Sequence, residues 1–173
     1  MAKVLIIING YGLAEGIKHQ VSRLTEEFSK RGIETEIIKN AEVFAWISRE
    51  NVDISLPKCD FVIYLDKDRY VAGLLEKNGY KLFNSIEAIC KCDDKMLTHI
   101  CLANNKIKMP ITISSTLCYT DNGNRDYLEK VVEKIGLPMI VKENYGSLGK
   151  QVYLANNKKE LLEMGDCLDW IME

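Results

Sequence analysis

The sequence has 173 residues, of which 47% are hydrophobic and 28% are charged, and its formal net charge is -2. This length is enough for one ordinary domain, or for one small domain with part of another, built around an apolar core. Acidic and basic residues are interspersed and the longest apolar run is short, so neither nucleic-acid binding nor a membrane span is predicted.

The six cysteines are scattered, without CxxC pairs or a histidine at metal-binding spacing. This pattern favours reduced thiols over disulfides or a zinc site. Lys3 leads directly into an apolar run, so we expect no export signal and predict a cytoplasmic location.

Strands and helices alternate in the prediction for the first 84 residues. KVLIII is a continuous apolar run, typical of a buried strand in a parallel sheet. Apolar residues at helical spacing then predict a helix that stops near Gly32: Ile17, Val21, Leu24 and Phe28. IETEII and DFVIYL predict further strands, and RYVAGLLEKNG predicts a second helix. The alternation predicts an α/β domain of the Rossmann-like class with a parallel sheet.

The next segment predicts two consecutive helices. SIEAICKC begins with Ser85, and DDKMLTHICLANN begins with Asp93 and Asp94, all residue types that favour helix starts. ITISST predicts an extended segment, and DNGNRD predicts a turn. A following helix is predicted from apolar residues on one face: Leu128, Val131, Val132 and Ile135.

The C-terminal segment predicts two strands, PMIVKEN and QVYLA, joined by the glycine loop YGSLGK. Asn157 and Glu160 predict the start of a last amphipathic helix, within or just after which the chain is expected to end. Its apolar residues are expected to be Leu161, Leu168 and Ile171. We therefore expect a second, α+β unit with two or three strands.

Two lysines and the glycine loop are candidates for binding phosphate. Lys142 lies in a predicted strand, where an inward-pointing ammonium needs an anion, although strand alternation also permits a solvent-facing position. Gly146 and Gly149 permit positive φ and close backbone approach to a phosphate, and the Ser147 hydroxyl adds a donor; an ordinary hairpin turn is the alternative. Lys95 lies at a helix start, which favours anions, although most such lysines are solvated.

In this order, the motifs resemble the ATP-grasp superfamily, in particular its RimK-type, glutamate-ligase-like branch. The resemblance rests on a series of short motifs: Asn84-Ser85, Asp94-Lys95, Pro110-Ile111-Thr112, Lys142, and Gly146-Ser147 with Gly149. It departs from the family at Glu143, where proline is common, at Gln151, where a third glycine is common, and at Lys106-Ile107-Lys108 before the Pro-x-Thr motif.

The resemblance implies a pre-ATP-grasp domain in residues 1–84, linking helices in 85–111 and part of an ATP-grasp subdomain in 112–173. It implies that ATP is bound by six residues of this chain: Lys95, Lys142, Gly146, Ser147, Leu148 and Gly149. The implied reaction is Mg2+-assisted, ATP-dependent ligation of a small-molecule or peptide carboxylate to an amine.

No family motif for magnesium ligands, the adenine-contacting strand or the arginine near the transferred phosphate is recognised in this sequence. The resemblance therefore covers the N-terminal portion of such an enzyme, with no catalytic residue and no Mg2+ ligand in this chain. We expect these 173 residues alone to be inactive, and an incomplete subdomain in residues 112–173 to favour a homo-oligomer.

The N-terminal domain offers candidates for binding the acceptor substrate. Gly10, Tyr11 and Gly12 follow the first strand, but the spacing of Gly10, Gly12 and Gly16 does not match the GxGxxG dinucleotide-binding fingerprint. Asp66 and Asp68 follow another strand, where α/β sheets tend to place ligands, although solvated loop charges are the simpler alternative. His19 and His99 are expected on solvent-facing helix surfaces without a role.

Two other function classes remain open from the sequence. One is a non-catalytic nucleotide-binding or protein-interaction module; a gene that ends at Glu173 would favour it, whereas an acidic-x-asparagine motif further along the gene would favour the ligase. The other is a receiver-like or flavodoxin-like signalling domain, which is disfavoured because the first strand lacks a following acidic pair and because residues 85–173 stay unexplained.

Overall fold

The computed structural model describes residues 1–12, 15–116, 125–164 and 170–173. It divides into two compact units, residues 1–90 and 91–173. None of the described helices is both long enough and apolar enough to cross a bilayer.

The first unit is an α/β structure with a parallel sheet, as the sequence predicts. Its elements are, in chain order, β1 (Lys3–Ile8), α1 (Glu15–Lys30), β2 (Glu34–Lys39), β3 (Phe44–Ser48), β4 (Asn51–Ser55), β5 (Phe61–Leu65), α2 (Arg69–Lys77), β6 (Leu82–Phe83) and α3 (Ile86–Asp93). The main sheet has the order β2-β1-β5-β6, and each neighbouring pair is parallel. Strand β1 is therefore interior and its side chains are covered on both faces, which explains its continuous apolar run.

Alternate residues of β1 supply two separate cores. Val4, Ile6 and Ile8 pack with Val21 of α1, together with the other apolar residues predicted on that helix. Leu5 and Ile7 face the opposite side, where α2 contributes Ala72 and Leu75 and α3 contributes Ile89. The strand period of two thus decides which helix each residue meets.

The sequence did not predict the antiparallel hairpin formed by β3 and β4. Ser48 pairs with Asn51, so the connection has two residues, and the first, Arg49, has a φ of 48°. Such tight hairpin turns usually contain glycine or asparagine, and neither is present at Arg49-Glu50. The strongest sequence signal for a hairpin is therefore absent.

The second unit has an antiparallel sheet with the order β7-β10-β8-β9 among the described residues. Its elements are α4 (Lys95–Leu102), β7 (Ile113–Ser114), α5 (Arg125–Ile135), β8 (Met139–Glu143), β9 (Val152–Ala155), α6 (Lys158–Glu163) and β10 (Trp170–Met172). One face of this sheet packs on α5 and α6 through a core that includes Val131, Met139, Leu161 and Trp170.

The predicted last helix is wrong at its C-terminal end. Asn157 caps α6 by accepting from the backbone N-H of Glu160, as expected, but the helix ends at Glu163. Ile171 lies in β10, between β7 and β8, and its exposed fraction is 0%. The unit therefore has four described strands instead of two or three, because Trp170–Met172 is a short, fully buried apolar run. Leu168 and most of the predicted DNGNRD turn lie outside the described residues.

The strand position of Ile171 is tested by its truncation. We expect Ile171→Ala to lower the free energy of unfolding by about 2–5 kcal/mol, because it empties a buried site in an interior strand. Ile171→Val keeps a β-branched side chain and should lose only about 0.5–1.5 kcal/mol. Denaturant unfolding monitored by circular dichroism gives both values, and a negligible loss in Ile171→Ala would contradict the assignment.

Candidate nucleotide site

Lys142 lies on the face of β8 opposite the core of the second unit. Its Nζ donates to Glu173 Oε2 at 2.5 Å, and the side chains of Lys142 and Glu173 are 24% and 12% exposed. Strand pairing explains the contact, because Glu173 follows β10 and exchanges backbone hydrogen bonds with Ile140. The ammonium therefore has an anionic partner and is not simply solvated.

Lys95 is the first residue of α4, and Asp94 caps this helix by accepting from the backbone N-H of Leu97 at 2.8 Å. The Nζ atom of Lys95 donates to the carbonyl oxygens of Glu143, Asn144 and Gly146 at 2.7, 3.2 and 3.4 Å. Lys95 is thus bound to the backbone where β8 passes into the glycine loop, rather than being solvated. The two predicted lysines are brought to the same end of β8.

The glycine loop joins β8 to β9. Ser147 O accepts weakly from Lys150 N at 3.4 Å, and the two residues between them, Leu148 and Gly149, have φ values of 61° and 70°. These are the φ signs of a type I′ hairpin turn, in which glycine is favoured and leucine is unusual. Leu148 is 88% exposed, so its side chain projects from the loop tip.

The space beside position 146, rather than a positive φ, is what limits a side chain there. Gly146 does not have a positive φ; a Cβ atom placed there would lie 2.7 Å from Gln151 Oε1. The Gln151 side chain occupies the space beside the loop that a side chain at position 146 would need. Gly149, by contrast, has the positive φ that the sequence predicted.

His99 is a site residue that the sequence prediction missed. It was expected on a solvent-facing surface, but its side chain is 21% exposed and Nε2 lies 3.3 Å from Glu173 Oε1. His99 follows Lys95 by four residues on α4, so the two side chains share one helix face. His19 is exposed, as predicted.

In the first unit, the strand ends bring together Gly10 and Asp66 through two asparagines that the sequence prediction missed. Asn40 Nδ2 donates to Asp66 Oδ2 at 2.6 Å, and Gly10 N donates to Asn40 Oδ1 at 2.8 Å. Asn9 Nδ2 also reaches the Asp66 carboxylate, at 3.3 and 3.4 Å. These residues follow β1, β2 and β5, whose carboxyl ends adjoin in the sheet, which is where α/β folds tend to bind ligands.

The other acceptor candidates have different positions. Tyr11 is 89% exposed, and the backbone N-H groups of Tyr11 and Gly12 donate to Asn9 Oδ1 at 2.9 and 3.2 Å. Asp68 caps α2 by accepting from the N-H groups of Tyr70 and Val71. Asp68 therefore has a structural role as a helix cap, and a substrate role for the loop residues stays a prediction.

The loop of the first unit offers a matched pair of glycine substitutions. A Cβ at Gly10 would lie 2.9 Å from the Ala41 Cβ, whereas nothing lies within 4 Å of a Cβ at Gly12. We expect Gly10→Ala to destabilise the protein by about 1–3 kcal/mol through overpacking, and Gly12→Ala to leave stability nearly unchanged. Denaturant unfolding checks this difference, and equal effects of the two substitutions would contradict the packing around Gly10.

Comparison with protein families identifies the second unit. A model described as the RimK-like ATP-grasp domain matches residues 92–172. This segment is therefore similar to the RimK-like ATP-grasp family. The match contains Asp94, Lys95, Lys142 and the glycine loop, whereas the Asn84-Ser85 motif lies before it.

Curated relatives agree with this family. Human N-acetylaspartylglutamate synthase A is 34% identical over 101 residues, covering 57% of this chain and 24% of the relative. Human beta-citrylglutamate synthase B is 34% identical over 99 residues, covering 57% of this chain and 25% of the relative. Coenzyme gamma-F420-2:alpha-L-glutamate ligase of Methanocaldococcus jannaschii is 26% identical over 167 residues, covering 90% of this chain and 55% of the relative. The chain thus spans between about a quarter and about half of these relatives.

Solved structures share the fold across both units. The RimK domain ATP-grasp protein of Sphaerobacter thermophilus aligns with a TM-score of 0.75 and 16% identity, covering 99% of this chain and 63% of that one. VanG D-Ala:D-Ser ligase of Enterococcus faecalis aligns with a TM-score of 0.71 and 15% identity, covering 99% and 62%. The predicted ATP-grasp fold class is confirmed.

Proposed function

We propose that this chain supplies the glycine-loop part of an ATP site in an ATP-dependent carboxylate-amine ligase. The observation that carries the proposal is the convergence of Lys95, Lys142 and the glycine loop at one end of β8, inside the segment that matches the RimK-like family. Two ammonium groups beside a backbone turn form a cationic environment for the phosphates of a nucleoside triphosphate.

The sheet face that carries Lys142 also suits a nucleobase. Val152 pairs with Lys142 and Leu154 pairs with Ile140, so these residues share one face. Val152 and Leu154 are 41% and 49% exposed, which leaves apolar surface beside the charged end of β8. A nucleotide laid along this face would place its ring on aliphatic side chains and its phosphates toward Lys142 and the glycine loop.

The proposed reaction has two steps. A substrate carboxylate oxygen attacks the γ-phosphorus of ATP, which forms an acyl phosphate and releases ADP. An amine nitrogen then attacks the acyl carbon, loses a proton and expels inorganic phosphate. Lys95 and Lys142 contribute by binding phosphate oxygens whose charge changes during the first step, and Lys95 does so by exchanging its longest carbonyl contact, at 3.4 Å to Gly146, for a phosphate oxygen.

Magnesium assistance is part of the proposal for the whole enzyme, because metal ions bridge phosphate oxygens in phosphoryl transfer. The described residues contain no group of three or more His, Cys, Asp or Glu side chains arranged to hold a metal ion. We therefore assign no metal ligand to the described part of this chain and derive no step through the metal.

We also propose L-glutamate as the amine substrate. The support is that the names of curated relatives specify glutamate-containing products or a glutamate ligase. With the complete gene product, ADP should form over many turnovers only when ATP, a suitable carboxylate from a panel, and L-glutamate are all present. The expectation that residues 1–173 alone do not catalyse ligation is tested in the same assay, and their oligomeric state is tested by sedimentation.

The nucleotide site is tested by thermal unfolding of the 173-residue chain with Mg-ATP. At a hundred times the dissociation constant, ATP should stabilise the protein by about 2.7 kcal/mol. For a chain of this size that raises the melting temperature by about 5–10 °C. We expect the shift to be lost in Lys142→Met and in Lys95→Met, because each removes a phosphate-binding cation.

Lys159→Met is the matched control for these substitutions, because Lys159 is 85% exposed and pairs only weakly with Glu163 at 3.7 Å. Melting temperatures without nucleotide are needed for every variant, since Lys95 also holds three backbone carbonyls. An unshifted wild-type protein, or a full shift in Lys142→Met, would contradict the proposed site.

A further inference from the structure

Glu173 has both carboxylate oxygens engaged by groups from different elements. Oε2 accepts from Lys142 Nζ on β8 at 2.5 Å, and Oε1 lies 3.3 Å from His99 Nε2 on α4. The backbone of Glu173 is fixed as well, since it exchanges hydrogen bonds of 2.7 and 2.9 Å with Ile140. The Glu173 side chain is 12% exposed. Lys142 and His99 contact its carboxylate, and Ile140 pairs with its backbone.

Helix α4 carries both His99, which lies beside the Glu173 carboxylate, and Lys95. Lys95 and His99 lie one turn apart on the same helix face. Lys95 binds carbonyls at the end of β8, while His99 contacts the partner of Lys142. Lys95, His99, Glu173 and Lys142 therefore form one connected polar arrangement across α4, β10 and β8.

We propose that Glu173, supported by His99, is a positioning residue that presents the Lys142 ammonium to a nucleotide phosphate; this inference rests on the proposed function. An ammonium has three N-H donors, of which Glu173 takes one, so two are available for phosphate oxygens. The ion pair also holds the flexible lysine stem in one conformation before the nucleotide arrives, which lowers the entropic cost of binding.

The ion pair between Glu173 and Lys142 is also compatible with the opposite effect on nucleotide binding. If Glu173 were only a counter-ion that a phosphate must displace, its negative charge would oppose ATP binding, and neutralising it would strengthen binding. The geometry favours positioning, because the backbone pairing and His99 keep the carboxylate in place when the lysine turns two of its N-H groups to a ligand.

The test measures the Mg-ATP dissociation constant of the 173-residue chain by isothermal titration calorimetry. Glu173→Gln keeps the side-chain shape but removes its charge, and we expect binding about tenfold weaker, as for loss of one charge-assisted contact. Lys142→Met should abolish measurable binding, because it removes the ammonium through which Glu173 acts. Glu163→Gln is the matched control, since Glu163 is 65% exposed and pairs with an exposed lysine.

The outcomes separate this inference from the proposed function. If the wild type binds Mg-ATP and Lys142→Met does not, the nucleotide site stands, and unchanged or tighter binding by Glu173→Gln then overturns the positioning role alone. Failure of the wild type to bind Mg-ATP overturns the proposed nucleotide site and, with it, the positioning role.

A second readout does not require nucleotide. Reductive 13C-dimethylation keeps lysines charged and gives each one an NMR signal, and Lys142 is assigned from the signal missing in Lys142→Met. We expect the Lys142 signal to be separated from those of exposed lysines in the wild type and to move toward them in both Glu173→Gln and His99→Ala. A wild-type Lys142 signal already among the exposed lysines would overturn the proposed positioning.

Discussion

The pairing of β10 with β8 is the interaction on which the second unit depends. Trp170 and Met172 of β10 face the core with α5 and α6, while the alternate positions bring Ile171 and Glu173 to the face of Lys142. A shift of one residue in this register would remove the core residues from their packing and the carboxylate from the lysine at once. Core packing and the arrangement of the charged site are therefore specified together.

Elements with a local signal could be predicted from the sequence. The continuous apolar run of β1, the helical spacing in α1 and the caps at Asp94 and Asn157 depend on neighbours within a turn or a strand. Strand β10 could not be recognised in this way, because three apolar residues show no period and their pairing partners lie far along the chain. The β3–β4 hairpin was not predicted, because its turn residues, Arg49-Glu50, include no glycine or asparagine.

In the candidate site, too, only the features with a local sequence signal could be predicted. Motif order in the sequence led to Lys95, Lys142 and the glycine loop as candidates for binding phosphate, but their contacts join residues distant in sequence. Lys142 meets Glu173 across 31 positions, and Lys95 meets Glu143 across 48 positions. No short-range pattern marks His99 or Glu173, because each is a common residue type whose meaning comes from the tertiary fold. The same holds for Asn9 and Asn40 in the first unit.

The positions of the aromatic residues give each unit its own optical properties. The sequence contains two tryptophans, Trp46 in the β3–β4 hairpin of the first unit and Trp170 in the core of the second. Trp46 is 43% exposed, whereas Trp170 is 7% exposed and lies 5.3 Å from the Tyr153 ring, measured between centroids. Intrinsic fluorescence therefore has a water-exposed emitter in one unit and a water-excluded emitter in the other. With excitation selective for tryptophan, unfolding of the two units can be followed separately in the unmodified chain, because each unit carries one tryptophan.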